Sequence, residues 1–188
     1  MSYFKISTDR LILRHPIISD AIEINRAKNE VWDELHKWMI WAYDEQKTMH
    51  ATESFIRNIG KDSLVGFCKD SGKFVVSTGL MTTGKPDEYA TGYWVAKDFL
   101  GKGYATEATA ACIHFAFTQL SAKAIHIGYL EGNDKSKRII EKLGFENETI
   151  KSKSFARCSD QTLVDEHEFY MTDTSRLLNT NYAWCGNW

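Results

Sequence analysis

Asp98-Phe99-Leu100-Gly101-Lys102-Gly103-Tyr104-Ala105-Thr106-Glu107-Ala108 joins two kinds of local pattern. Upstream, Glu88 to Val95 reads as a strand. Downstream, Ala105, Ala108, Cys112, Phe115 and Ala116 form an apolar stripe on a helix running to about Gln119. A Gly-x-Gly turn at such a junction points several backbone N–H groups the same way. They sit at a helix N-terminus, where the macrodipole favours negative charge. Glycine also admits a ligand close to the backbone. The pattern predicts an anion cradle for a phosphate or pyrophosphate, although two glycines alone equally suit a tight turn that binds nothing. Thr106 occupies the place of the third glycine in G-x-G-x-x-G, and no G-x-x-x-x-G-K-[ST] occurs. A dinucleotide fingerprint and a Walker loop are thereby set aside.

On the N-terminal side, Ile6 to Arg14 reads as a first strand. Ser19 is an expected N-cap for a helix carrying Ala21, Ile22, Ile24 and Ala27. An aromatic-rich helix is expected from Val31 to about Trp41. A third carries Phe55, Ile56 and Ile59, with Thr52 as its cap or inside it, and Gly60 ends it. Leu64–Cys68 and Lys73–Leu80 flank Asp70-Ser71-Gly72, a hairpin signal. Glu88–Val95 then completes a three-stranded meander. On the C-terminal side, Ala124–Leu130 is a strand and Asn133–Leu143 a helix closed by Gly144. The segments from Phe145 and from Leu163 to Met171 are two more strands. The tail from Thr174 to Trp188 is aromatic without a clear period. The reading is one α/β domain over residues 1–188.

Composition narrows the function classes. The 188 residues are 43% hydrophobic and 26% charged, with a formal net charge of −2. Basic residues are scattered, so no electrostatic footprint for nucleic acid is present. No apolar run is long enough to span a bilayer. The N-terminal Met1-Ser2-Tyr3-Phe4-Lys5 lacks the apolar core of a signal peptide. Cys68, Cys112, Cys158 and Cys185 are dispersed, as are the six histidines, which predicts free thiols, a cytoplasmic setting and no metal.

Four pieces in order resemble the GNAT (GCN5-related N-acetyltransferase) superfamily, and within it the Rim-type branch of ribosomal-protein N-terminal acetyltransferases. They are Thr8-Asp9-Arg10-Leu11-Ile12-Leu13-Arg14; Trp38-Met39-Ile40-Trp41; Gly92-Tyr93-Trp94-Val95 with the Gly-x-Gly segment; and Asn133-Asp134-Lys135-Ser136 with Glu141-Lys142-Leu143-Gly144-Phe145. The likeness covers about Thr8 to Met171. It implies an α/β (α+β) fold with a central, mixed, mostly antiparallel twisted sheet flanked by helices. It also implies acetyl-CoA as cosubstrate, with no metal.

The resemblance assigns the pyrophosphate to Leu100, Gly101, Lys102, Gly103, Tyr104, Ala105 and Thr106. Leu100 departs from the usual Gln or Arg. Trp94, Val95 and Ala96 are expected to pair a strand edge with the pantetheine amides, and Asn133 to lie beside the cofactor. Ser136 is the expected group assisting the thiolate, although Asn-x-x-Ser is also ordinary capping chemistry. The base is expected on the strand before the cradle. Ala90 stands where the superfamily often has glutamate, and Glu88, on the same strand face, is the candidate. Trp38 and Trp41, three apart on a helix, and His36 are expected at the acceptor.

The implied reaction acetylates a primary amine, either a protein N-terminus or a small molecule, by a monomer or homodimer. A donor such as succinyl-CoA, or a non-catalytic sensor of coenzyme A, fits the same cradle.

Overall fold

A computed structural model describes residues 4–188. Met1, Ser2 and Tyr3, part of the stretch read for a leader, lie outside the described residues. The chain opens with a hairpin, β1 (Lys5–Thr8) and β2 (Leu11–Arg14). Three helices follow: α1 (Ala21–Glu30), α2 (Trp32–Trp38) and α3 (Met49–Asn58). Then come β3 (Ser63–Cys68), β4 (Phe74–Gly79), β5 (Met81–Thr82), β6 (Glu88–Ala90) and β7 (Tyr93–Val95). Helix α4 (Tyr104–Gln119), β8 (Ala124–Leu130), α5 (Asp134–Lys142), β9 (Asn147–Ala156), β10 (Leu163–Met171) and β11 (Tyr182–Cys185) complete it.

The strands form two sheets. One has the order β11-β1-β2-β3-β4-β7, and the other β5-β6-β8-β10-β9. All pairings are antiparallel except β6 with β8. Both sheets feed one apolar core, which includes Ile6, Leu13, Val76, Ile125 and Phe169. Helix α4 lies inside it against β1, β4, β7 and α5. Its burial runs beyond the expected stripe to Ala110, Ala111 and Ile113. A helix buried nearly all round must be apolar nearly all round. Fully burying a side chain such as Ile113 or Phe115 contributes about 1.5–3 kcal/mol.

The first strand is in fact a hairpin. Thr8 Oγ1 accepts from Leu11 N at 3.0 Å, turning the chain at Asp9-Arg10, and Lys5 pairs with Arg14. Ser19 does not cap α1; it sits in a 3₁₀ turn. Asp20 instead accepts from Ile17 N at 2.8 Å and from Arg14 Nη1 at 2.7 Å. Helix α2 stops at Trp38, because Met39 turns extended and its carbonyl accepts from Cys158 Sγ at 3.5 Å. Thr48 caps α3, accepting from Ala51 N. Thr52 lies inside, accepting from the buried Lys28 at 2.6 Å. Part of the periodless tail becomes β11, which lies along β1.

The segment 88–95 is divided between the sheets. β6 pairs with β5 and β8, whereas β7 pairs with β4. Thr91 makes the joint: its N–H donates to His126 O at 2.8 Å and its hydroxyl to Gly79 O at 2.8 Å. Beyond it β7 and β8 part, each leaving one edge without a strand partner among the described residues.

Candidate active site

The cradle follows β7 directly. Ala96 and a 3₁₀ turn at Lys97–Phe99 lead to Leu100, which is extended, then Gly101 at φ 72° and Gly103 at φ 81°. Both glycines occupy the left-handed region that L side chains avoid. A Cβ built at Gly101 would meet nothing within 4 Å, so the backbone there faces open space. Gly103 is the N-cap of α4. The first bond across the helix start runs from Glu107 N to Gly103 O at 3.1 Å. The amides of Tyr104, Ala105 and Thr106 precede it and are available to an acceptor. This arrangement fits an anion such as a pyrophosphate. Leu100 offers no polar group and is 53% exposed. Lys102 curls back, its ammonium donating to Asp98 O at 2.7 Å.

The β1–β2 turn holds the cradle. Arg10 Nε and Nη2 each reach Glu107 Oε2 at 2.6 Å, and Arg10 Nη1 donates to Lys102 O at 3.0 Å. The guanidinium also lies 4.1 Å from the Tyr104 ring centre. Beside this clamp is an open cleft of about 510 Å³ lined by Arg10, Lys102, Gly103, Thr106, Lys142 and Asn181 among others. The opening strand motif carried no assigned role in the sequence. Its arginine fixes the first turn of α4.

The parting of β7 and β8 leads from this turn toward Ser136. Ala96 N donates to Val75 O at 2.8 Å, and β7 stays in register with β4. Backbone direction alternates along a strand, so Trp94 and Ala96 turn their polar groups to β4. The open edge belongs to Tyr93 and Val95. Of the three residues expected to pair with pantetheine, only Val95 faces the opening. The Trp94 ring packs on Phe74, with centres 5.1 Å apart.

Ser136 stands at the far end of this edge. Asn133 is the N-cap of α5, its Oδ1 accepting from Ser136 N at 3.2 Å, so its carbonyl oxygen is spent on the helix. The Ser136 hydroxyl is left to meet the Tyr93 hydroxyl at 3.0 Å. Burial pushes the Tyr93 phenol up to about 12, against the lowering effect of the Ser136 bond. Tyr93 was read only as part of a motif. Its alternation with Trp94 was the signal that one of the two faces α5.

Glu88 is engaged by other groups. Its Oε2 lies 3.0 Å from His126 Nε2 and 3.4 Å from Lys85 Nζ. The His126 hydrogen bond, followed by Lys85, holds its carboxyl below the usual carboxylate range. That direction makes it a poorer proton acceptor.

The aromatic residues expected at the acceptor separate. His36 donates to Ala42 O at 2.6 Å and stacks on buried Trp32, which makes it a packing residue. Trp41 lies past the end of α2, so it shares no helical face with Trp38; it is 37% exposed. Trp38 reaches the turn before α5: a Cβ on Gly132 would sit 3.5 Å from its Cη2 and 3.5 Å from Arg157 Nη2. The Arg157 guanidinium covers the Trp38 ring at 4.9 Å and donates to Glu131 O at 2.8 Å. Arg157 was not anticipated, since nothing local in the sequence links it to Trp38.

Among the described residues no group of three His, Cys, Asp or Glu could hold a metal ion. No described helix is long and apolar enough to cross a membrane. The four cysteines are free.

Known proteins share this architecture. The solved structure of Mycobacterium smegmatis RimJ in complex with CoA-disulfide has a TM-score of 0.76 and 20% identity, over 91% of this chain and 88% of that one. The microcin C7 self-immunity acetyltransferase MccE, in complex with acetyl-CoA and AMP, has a TM-score of 0.75 and 21% identity, over 88% and 93%. At such identities the likeness is one of fold. YdaF of Bacillus subtilis (strain 168), named as a candidate ribosomal N-acetyltransferase, is 43% identical over 54 residues. That stretch is 29% of this chain and spans only 30% of the length of YdaF. The family model described as the acetyltransferase (GNAT) domain matches residues 10–146, and the chain belongs to that family.

Proposed function

We propose that residues 1–188 form a single acyltransferase domain that moves the acetyl group of acetyl-CoA to a primary amine. One observation carries this reading: an anion cradle at the start of α4 runs directly into an open β7 edge that ends at the Ser136 hydroxyl. The amides at Gly101–Thr106 hold the pyrophosphate. The outward groups of Val95 and Tyr93 receive the extended pantetheine as an added strand. The thioester then lies by Ser136.

The neutral amine attacks the thioester carbonyl carbon, forming a C–N bond. The tetrahedral intermediate collapses and the C–S bond breaks. The nitrogen loses one proton and the sulfur gains one overall. Ser136 donates a hydrogen bond to the departing sulfur, which lowers the cost of the developing thiolate. Glu88 takes no step in this scheme, because His126 and Lys85 already hold its carboxylate. The acceptor enters past Trp38 and Arg157. A relative named for a ribosomal substrate supports a protein N-terminus, and a neighbour solved with acetyl-CoA and AMP supports a small-molecule acceptor. Free thiols support a cytoplasmic setting.

Thermal unfolding with acetyl-CoA, CoA and succinyl-CoA tests the cradle. At about 100 times Kd, binding stabilises by roughly 2.7 kcal/mol. A shift with acetyl-CoA, followed by turnover of peptides with free N-termini or of small amines, is the expected result. A larger shift with succinyl-CoA reassigns the donor. Binding without turnover supports a coenzyme A sensor, and no shift with any of the three overturns the reading. In the same turnover assay, Ser136→Ala is expected to lower kcat about 100-fold with acetyl-CoA binding unchanged.

A further inference from the structure

The Tyr93–Ser136 contact spans the opening between the sheets. Tyr93 comes from the last strand of one sheet, and Ser136 from the helix that follows β8 of the other. Their hydroxyls meet at 3.0 Å. Neither hydroxyl has a second hydrogen bond among the described residues. The Ser136 amide is fixed separately by Asn133, so the backbone carrying the serine is already placed. What remains free is the rotation of its hydroxyl. A phenol is a far stronger acid than an aliphatic alcohol, so in such a pair the tyrosine donates and the serine accepts. The serine proton is then released to point elsewhere.

Resting on the acetyltransferase reading above, we infer that Tyr93 is a positioning residue for the reaction: its O–H donates to Ser136 Oγ and aims the serine O–H at the sulfur of the thioester. When the C–S bond breaks, Ser136 donates to the thiolate while still accepting from Tyr93. Chained hydrogen bonds of this kind polarise one another. No proton leaves Tyr93. Its burial keeps the phenol protonated, with the group pushed up to about 12, so it remains a donor across the working range. A tyrosine that titrated near neutrality would instead become an acceptor and turn the serine proton inward.

The test is a double-mutant cycle on the full chain with acetyl-CoA and an amine turned over by the wild type. Tyr93→Phe retains the ring and its packing and removes only the hydroxyl. Its kcat is expected to fall about 3- to 10-fold, the worth of one neutral hydrogen bond, with KM for acetyl-CoA unchanged. In a Ser136→Ala background the same change is expected to cost nothing further, because the group it positions is gone. The acetyl-CoA-induced unfolding shift of Tyr93→Phe should match the wild type, which separates lost positioning from lost folding.

Wild-type kcat in Tyr93→Phe overturns the inference. So does a loss that persists in full in the Ser136→Ala background, which marks a role independent of the serine. Either result leaves the transferase reading standing. Absence of wild-type turnover with every amine overturns both.

Discussion

Arg10 and Glu107, 97 positions apart in sequence, are joined by two contacts of 2.6 Å that couple the β1–β2 turn to the first turn of α4. The other oxygen of Glu107 accepts from Thr8 Oγ1 at 2.6 Å and from Arg10 N at 2.9 Å. Glu107→Ala removes the carboxylate that accepts from all of these donors. It is expected to lower stability by about 1–3 kcal/mol and to weaken acetyl-CoA binding, read by urea unfolding and by ligand-induced shift. Arg10→Lys keeps the charge and loses the fork, so it should show the binding defect as well. The exposed Arg26–Glu30 pair is the contrast: Arg26→Ala should change stability by less than about 1 kcal/mol.

Glu88 gives a pH signature. Its folded carboxyl titrates below its unfolded value, chiefly through His126 and then Lys85. The ionised partnership therefore stabilises the fold above the unfolded carboxylate range and is lost as pH falls through the lowered folded value. The stability difference between wild type and Glu88→Gln should be largest near neutrality and shrink below about pH 4. A difference that stays constant through that window would contradict the assignment. If Glu88 were the base after all, the same variant would depress kcat/KM most at low pH.

Lys28 should act with the same sign, in a window at high pH. It is buried in the helical layer, donating to Thr52 Oγ1 at 2.6 Å and to Gln46 O. Burial draws its ammonium down from 10.5 to about 8. Between those values the folded lysine is neutral and the unfolded one still carries its proton. The unfolded state then binds more protons, so stability rises with pH. Unfolding at pH 7.5 and 9.5 should show the wild type gaining on Lys28→Met. Equal slopes for the two proteins would count against it.

Gly144 closes α5 at φ 89°, and a Cβ there would lie 2.2 Å from Arg176 O. Gly84 has a similar φ of 85° but nothing within 4 Å of its Cβ. Gly84→Ala should cost about 1–2 kcal/mol from backbone strain alone. Gly144→Ala should cost more, because the segment bearing buried Leu177 must also move. Paired urea titrations compare the two, and equal losses would mean that the segment yields freely.

What could be read in advance was local. Ala124–Leu130 and Leu163–Met171 have the bounds expected from their patterns, and Gly144 ends the helix it was expected to end. The left-handed turn at Gly101 and Gly103 was legible because glycine spacing reports directly on backbone conformation. The division of 88–95 was not, because each half is strand-like and only the partner strands differ. Thr8-Asp9-Arg10 hid a turn for the same reason: the bond that makes it comes from one threonine hydroxyl. Arg10 with Glu107, Tyr93 with Ser136, and Trp38 with Arg157 are long-range pairs. No window of sequence contains both members of any of them.

The joint at Thr91-Gly92 has a consequence for insertions and deletions. A side chain on Gly92 would meet nothing within 4 Å, so the position tolerates changes of residue type on steric grounds. Changes of length are another matter. Strand side chains alternate, and a shift of one residue exchanges the faces. Losing a residue between Ala90 and Tyr93, with β7 still paired in place, would send the indole of Trp94 toward α5 and carry the phenol of Tyr93 away. The sheet could keep its hydrogen bonds while Ser136 lost its partner. Spacing at this joint should therefore be under stronger selection than the identity of the residues that fill it.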